Sequence, residues 1–130
     1  MSALIRIHVA DDSDSMRRSI SMLRAAEPRI IVCGEASTYS DLVKRILALD
    51  PQVVLVHVHM PGGSHFEDTY IKGQLRRSRL LAMSVWKDEV TVRLAHSYGA
   101  MKLLDKSDLV STLMPAAEEC IHQKTEEHPS

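Results

Sequence analysis

Residues 51–62 have the sequence PQVVLVHVHMPG, which predicts a buried strand running to the edge of a sheet. Four apolar residues, 53–56, lie between Pro51 and the turn-forming pair Pro61-Gly62. An apolar run of this length between turn residues is typical of a strand covered on both faces. His57 closes the run, so we expect it at the carboxyl end of the strand, where open α/β sheets place their ligands.

Length and composition favour one domain with its own core. The chain has 130 residues, 45% of them hydrophobic, and its 16 basic and 17 acidic side chains nearly cancel. We therefore expect no direct nucleic acid binding by this domain and no membrane association, since no apolar run approaches about 20 residues. Cys33 and Cys120 lack a metal-type spacing, and no apolar leader precedes Leu4, which predicts a cytoplasmic setting.

Strand-like apolar segments alternate with helix-length stretches along the chain. The segments are 4–10, 30–33, 53–58, 79–84 and 100–104, and helices are expected before Pro28, over 39–49, 64–77 and 87–97, and after Ser107. This rhythm predicts an α/β fold, a single doubly wound (βα)5 flavodoxin-like domain whose five-stranded parallel sheet has the order 2-1-3-4-5. Residues 1–123 would form the domain, and 124–130 a polar tail or the start of a linker.

The two C-terminal helices carry specific expectations. Val90, Leu94 and Ala95 are expected on the buried face of the helix over 87–97, which should end at Gly99 in a left-handed conformation. Ser107 is expected to cap the last helix. Pro115 should kink or shorten that helix, because proline cannot donate to the carbonyl at position 111.

Polar side chains follow four of the predicted strands. Asp11 and Asp12 follow the first strand, His57 ends the third, Ser84 ends the fourth and Lys106 follows the fifth. In the predicted fold these positions converge at one edge of the sheet. Adjacent carboxylates suit a hard divalent cation, and a hydroxyl with an ammonium suits the oxygens of a phosphoryl group.

Four segments in this order resemble the receiver domain of bacterial two-component response regulators. They are residues 9–12 (VADD), 51–62, 81–84 (LAMS) and 99–106 (GAMKLLDK), and the resemblance covers 4–123. It is CheY-like and most similar to the receivers of LuxR-type DNA-binding regulators. The resemblance implies that Asp11 and Asp12 hold Mg²⁺, and that Ser84 and Lys106 contact the phosphoryl oxygens.

Three positions depart from the pattern of that family. His57 occupies the position of the aspartate that accepts phosphate, and an aspartyl phosphate requires a carboxylate nucleophile. The change also removes an oxygen ligand, so Mg²⁺ binding should be weak or lost, and no cofactor is assigned with certainty. Leu103 stands where receivers usually carry the aromatic side chain of their switch, and Val85 should narrow the phosphate site.

These features predict a non-enzymatic, atypical receiver that is not phosphorylated at the usual position. It would act through a protein partner or a homodimer, and would regulate transcription through an output domain or a partner. The alternative is a metal- or small-ligand-responsive domain in which His57, His59, Asp11 and Asp12 bind zinc, nickel or manganese. A third reading is phosphorylation of His57 itself.

The same residues could instead have purely structural roles. The acidic pair could favour the start of the first helix, Lys106 could neutralise that pair, and Ser84 could be a satisfied hydroxyl at a strand end. His8 is expected to be a hydrogen-bonded packing residue. Trp86 is expected to cover part of the altered pocket, with a role in partner contact as the alternative.

Overall fold

A five-stranded parallel sheet forms the centre of the computed structural model, which describes residues 4–13, 15–60 and 79–126. The strands are β1 (Ile5–Ala10), β2 (Ile30–Ala36), β3 (Val53–His57), β4 (Arg79–Ser84) and β5 (Leu103–Asp105). Their order is β2-β1-β3-β4-β5, and every neighbouring pair is parallel. The predicted fold class and strand order are confirmed.

Helices cover both faces of this sheet. They are α1 (Ser15–Ala26), α2 (Tyr39–Leu49), α3 (Glu89–Ser97) and α4 (Leu109–Glu126), and the helix predicted over 64–77 lies outside the described residues. Helices α1 and α4 contribute to one core cluster with β1, while α2 and α3 contribute to a second one. Residues 53–56 of β3 are buried between the two clusters, as their continuous apolar pattern predicts.

Local signals set the ends of two helices. Thr38 caps α2, since its side chain accepts a hydrogen bond from the Asp41 N–H, and Asp50 ends it in the left-handed conformation. Arg6 of β1 then donates to the carbonyls of Leu49 and Asp50, which satisfies acceptors that a helix end leaves free. Gly99 follows α3 with a φ of 83°, as predicted.

The last helix differs from its prediction. Asp105, rather than Ser107, accepts the capping hydrogen bond, and a 3₁₀ turn (Lys106–Asp108) precedes α4. Pro115 does not end α4, because its exposed ring leaves buried Leu113 and Ala117 packed in the core on either side. The helix continues to Glu126, so the start of the predicted polar tail is helical. Among the described residues, no helix is long and apolar enough to cross a membrane.

The buried face of α3 differs from its prediction at Val90, which is 69% exposed, whereas Leu94 packs against the core as predicted. Thr91, which was not predicted to be buried, and Ala95, which was, are both buried. These smaller side chains face the sheet, and the Thr91 hydroxyl donates to Asp88 at 2.6 Å, which satisfies it on burial. Strand β2 is longer than predicted and β5 is shorter, because pairing with β1 and β4 sets their lengths.

Candidate functional site

The carboxyl ends of β1, β3, β4 and β5 meet at one edge of the sheet. Ala10 pairs with Val56, so Asp11 follows at the level of His57. Strand β4 then pairs alongside β3, and Ser84 pairs with Asp105. This register gathers Asp11, His57 and Lys106 from three separate parts of the chain.

Asp11 and Lys106 form a buried ion pair at this edge. Asp11 is fully buried, the Lys106 side chain is only 9% exposed, and the ammonium contacts Asp11 Oδ2. Lys106 also donates to Ser13 Oγ at 2.8 Å, and the Ser13 N–H donates to Asp11 Oδ1 at 2.9 Å. The ammonium therefore supplies a positive charge from within the chain to the buried carboxylate of Asp11.

These contacts determine the protonation of Asp11. Burial alone would raise the pKa of the Asp11 carboxyl, but the adjacent His57 ring, the Lys106 ammonium and the hydrogen bond from the Ser13 backbone outweigh it and hold that pKa well below its ordinary value. Asp11 is thus a carboxylate at neutral pH. Its bond to Ser13, ahead of α1, also differs from the helix-starting role considered for the acidic pair.

His57 lies against both carboxylates. Its Nδ1 is 3.4 Å from Asp11 Oδ1 and 3.5 Å from Asp12 Oδ1, and its side chain is 16% exposed. The Tyr39 hydroxyl of α2 donates to the His57 carbonyl at 3.3 Å and helps to position the end of β3. Ser13 and Tyr39 were missed at the sequence level, because neither residue type nor spacing distinguishes them from ordinary loop and core residues.

Asp11, Asp12 and His57 present ligating atoms within 4.8 Å of one another, the separation of a possible metal centre. His59 is not part of this group, contrary to the four-residue set predicted. Strand β3 ends at His57, so the alternation of side chains does not extend to His59 in the turn. The His59 ring lies 5.8 Å from that of His57, and its Nε2 is 3.5 Å from the Thr91 hydroxyl.

The donor set fits Mg²⁺ poorly. Magnesium requires hard oxygen ligands in near-octahedral geometry, but His57 presents a ring nitrogen to the two carboxylates. Lys106 already contacts one oxygen of Asp11. Borderline metals that accept imidazole are a better match to these three residues.

Ser84 and Leu103 occupy the predicted places, with local partners. The buried Ser84 hydroxyl accepts a hydrogen bond from the Trp86 N–H at 3.0 Å. This agrees with a structural role in which the hydroxyl is hydrogen-bonded within the chain. Leu103 begins β5 and packs, partly buried, against the core cluster of α2 and α3. It also borders a groove of about 240 Å³ between α3 and β5.

The two residues that follow Ser84 are largely exposed. Trp86 is 63% exposed and Val85 is 57% exposed. The Ser84 hydroxyl holds the loop backbone at Trp86, while both side chains are directed largely into solvent. Together with Val90 they form an apolar exposed set, which we call the β4–α3 patch.

The chain is similar to receiver-containing regulators. It is 28% identical over 114 residues to the transcriptional regulatory protein LiaR of Bacillus subtilis, and 29% identical over 116 residues to the nitrate/nitrite response regulator NarL of Escherichia coli. These matches cover 87% and 85% of the chain, which spans about half (54%) of each relative. The signal receiver domain of a NarL response regulator from Mycobacterium tuberculosis superposes with a TM-score of 0.73 at 23% identity, covering 90% of this chain and 98% of that one. No family model matches the chain.

The parallel sheet and its strand order are the fold of receiver domains of the two-component response-regulator class, and in this chain Asp11, Asp12 and Lys106 lie at one edge of that fold. Within that class, the sequence is similar to the receivers of LiaR and NarL.

Proposed function

We propose that this domain is an atypical receiver that signals through protein contacts without phosphorylation at the usual position. The observation that carries the proposal is the pocket itself, in which Lys106 pairs with Asp11 and His57 lies between the two carboxylates. The acceptor position offers an imidazole, which cannot form an aspartyl phosphate. The domain has no catalytic role in this proposal.

The exposed surface supports a binding role. The β4–α3 patch presents Val85, Trp86 and Val90 to solvent, and exposed tryptophan is common where proteins bind one another. The occupant would be a protein partner or a second copy of the chain, and transcription would be regulated through an output domain or that partner. We propose a cytoplasmic location, a domain over residues 1–123, and no direct contact with nucleic acid.

Incubation with acetyl phosphate and Mg²⁺, followed by intact-mass measurement, tests this proposal. We expect an unchanged mass, because the acceptor position lacks a carboxylate. A stable phosphoryl adduct in the pocket would contradict it. An adduct that is acid-labile and base-stable would instead identify His57 as the phosphorylated group.

A second function is favoured by the cluster of Asp11, Asp12 and His57. One imidazole and two carboxylates within 4.8 Å suit zinc, nickel or manganese better than magnesium. Metal binding at this point would join the loop after β1 to the end of β3. The domain would then respond to a metal ion through the same edge of the sheet.

Titration with Zn²⁺, Ni²⁺ and Mn²⁺ tests the metal-responsive function. A ligand at 100 times its Kd should stabilise the folded state by about 2.7 kcal/mol, which raises the melting temperature. We expect His57→Ala to abolish the rise and His59→Ala to preserve it, since His59 is outside the cluster. Equal loss in both variants, or no rise in the unsubstituted protein, would exclude this site.

A further inference from the structure

His8 lies within β1 and is fully buried, although the pocket does not use it. Strand β1 pairs with β2 on one side and with β3 on the other. Neither ring nitrogen of His8 has a hydrogen-bond partner in the described part of the chain, contrary to the hydrogen-bonded packing role predicted for it. Most buried polar groups in proteins are hydrogen-bonded, so a buried imidazole without a hydrogen-bond partner needs an explanation from its surroundings.

An irregularity in the sheet makes room for the ring. Ile7 pairs with Val32 and His8 pairs with Gly34, which leaves Cys33 as an extra residue on β2. A Cβ atom on Gly34 would lie 2.8 Å from His8 Cδ2 and 2.7 Å from Leu49 Cδ1. The ring of His8 thus occupies a space that only a glycine at position 34 leaves open, beside the last residue of α2.

The charges around His8 disfavour a second proton on its ring. From α2, Arg45 and Asp41 act on it electrostatically, and these two form an ion pair with each other at 3.1 Å. Arg6, on the same strand, holds the carbonyls at the end of α2. The paired residues on β2 and β3, Gly34 and Val54, carry no charge.

We propose that His8 is an acid-sensitive switch whose protonation releases helix α2 from the edge of the sheet formed by β1 and β2. An imidazolium at this position would be desolvated, would lack an acceptor and would be repelled by Arg45. Helix α2 also carries Tyr39, whose hydroxyl donates a hydrogen bond to the His57 carbonyl. Release of α2 would therefore break this contact at the end of β3. The switch does not depend on what the pocket binds.

The direction of the pH effect follows from proton linkage. Burial, assisted by Arg45 and partly offset by Asp41, lowers the pKa of His8 from 6.5 to about 4. Between pH 6.5 and pH 4, His8 is protonated in an open or unfolded state but neutral in the closed state. The closed state therefore loses stability relative to the open state as the pH falls through that range. From pH 7 to pH 5 the closed-to-open ratio should fall about 20-fold.

Hydrogen exchange read by mass spectrometry at pH 7 and pH 5 tests the switch in the intact chain. After correction for intrinsic rates, we expect protection in α2 to fall about 20-fold more than in α4. His8→Leu should remove this extra loss, because leucine is similar in size and does not titrate. The matched variant His122→Leu, at an exposed position of α4, should retain it. An unchanged loss in His8→Leu, or equal losses in α2 and α4, would overturn the proposal.

A measurement on the unsubstituted protein covers the case in which His8→Leu does not fold. The imidazole signals of His8 and exposed His122 are followed by NMR between pH 7.5 and 4, about the range in which histidines titrate. We expect His8 to remain neutral at pH 5.5, where an imidazole with the ordinary pKa of 6.5 is protonated. Protonation of His8 near pH 6.5, or unchanged amide signals of α2 when His8 becomes protonated, would refute the switch.

Discussion

Lys106→Met is expected to lower the free energy of unfolding by about 3–5 kcal/mol at neutral pH, measured by urea denaturation. The substitution removes the ammonium from Asp11, whose carboxylate is fully buried. A buried charge without its partner is far more destabilising than the loss of an exposed pair. Because the pKa of Asp11 is lowered in the folded state, the stabilisation is present above the ordinary carboxyl pKa and is lost as the pH falls through the folded value.

Two further variants make this measurement specific. Lys87→Met removes an exposed ammonium 3.5 Å from Asp105 and should change stability by about 0–1 kcal/mol. Adding Asp11→Asn to Lys106→Met removes the unpaired charge as well, so the double variant should recover part of the loss. If Lys106→Met costs no more than Lys87→Met, Lys106 does not neutralise the pocket.

His57→Asp is expected to convert the pocket into one that binds Mg²⁺ and accepts phosphate. The side chain at this position already meets Asp11 and Asp12, so a third carboxylate would provide the oxygen ligand and the nucleophile that are missing. Without a divalent cation, three converging carboxylates should lower the free energy of unfolding by about 1–3 kcal/mol. Mg²⁺ should restore this stability, and acetyl phosphate should then add one phosphoryl group in intact-mass measurements.

His57→Asn provides the matched control for that gain. Asparagine is close to aspartate in size but brings neither a third negative charge nor a carboxylate nucleophile. We expect it to show no stabilisation by Mg²⁺ and no phosphoryl adduct. Identical behaviour of the two variants would show that the identity of residue 57 is not what prevents phosphorylation.

The sequence predicted the elements and much of the composition of the site. Helix α2 has the predicted bounds, because its apolar spacing lies between Thr38 and the Asp50-Pro51 pair. Asp11, Asp12, His57 and Lys106 do converge at one edge, since the ends of parallel strands meet there. Predicting this convergence required only the strand order and the position of each residue at the end of a strand.

Finer features depended on contacts that spacing does not encode. The alternation rule failed for His59 because β3 ends two residues earlier. Helix periodicity predicted Val90 on the buried face, but Thr91 is buried there instead. The 63% exposure of Trp86 depends on the packing around the loop after β4, which sequence position does not specify.

By itself, the sequence determined the α/β class, the strand order and the histidine at the end of β3, since these follow from local apolar periodicity and residue identity. The tertiary structure alone decided that Lys106 contacts Asp11 and Ser13 and that His57 lies between two carboxylates. It also decided that His8 is buried without a hydrogen-bond partner among the described residues. The physical reason is that ion pairing and desolvation depend on distances of a few ångströms between residues far apart in the chain, which packing sets.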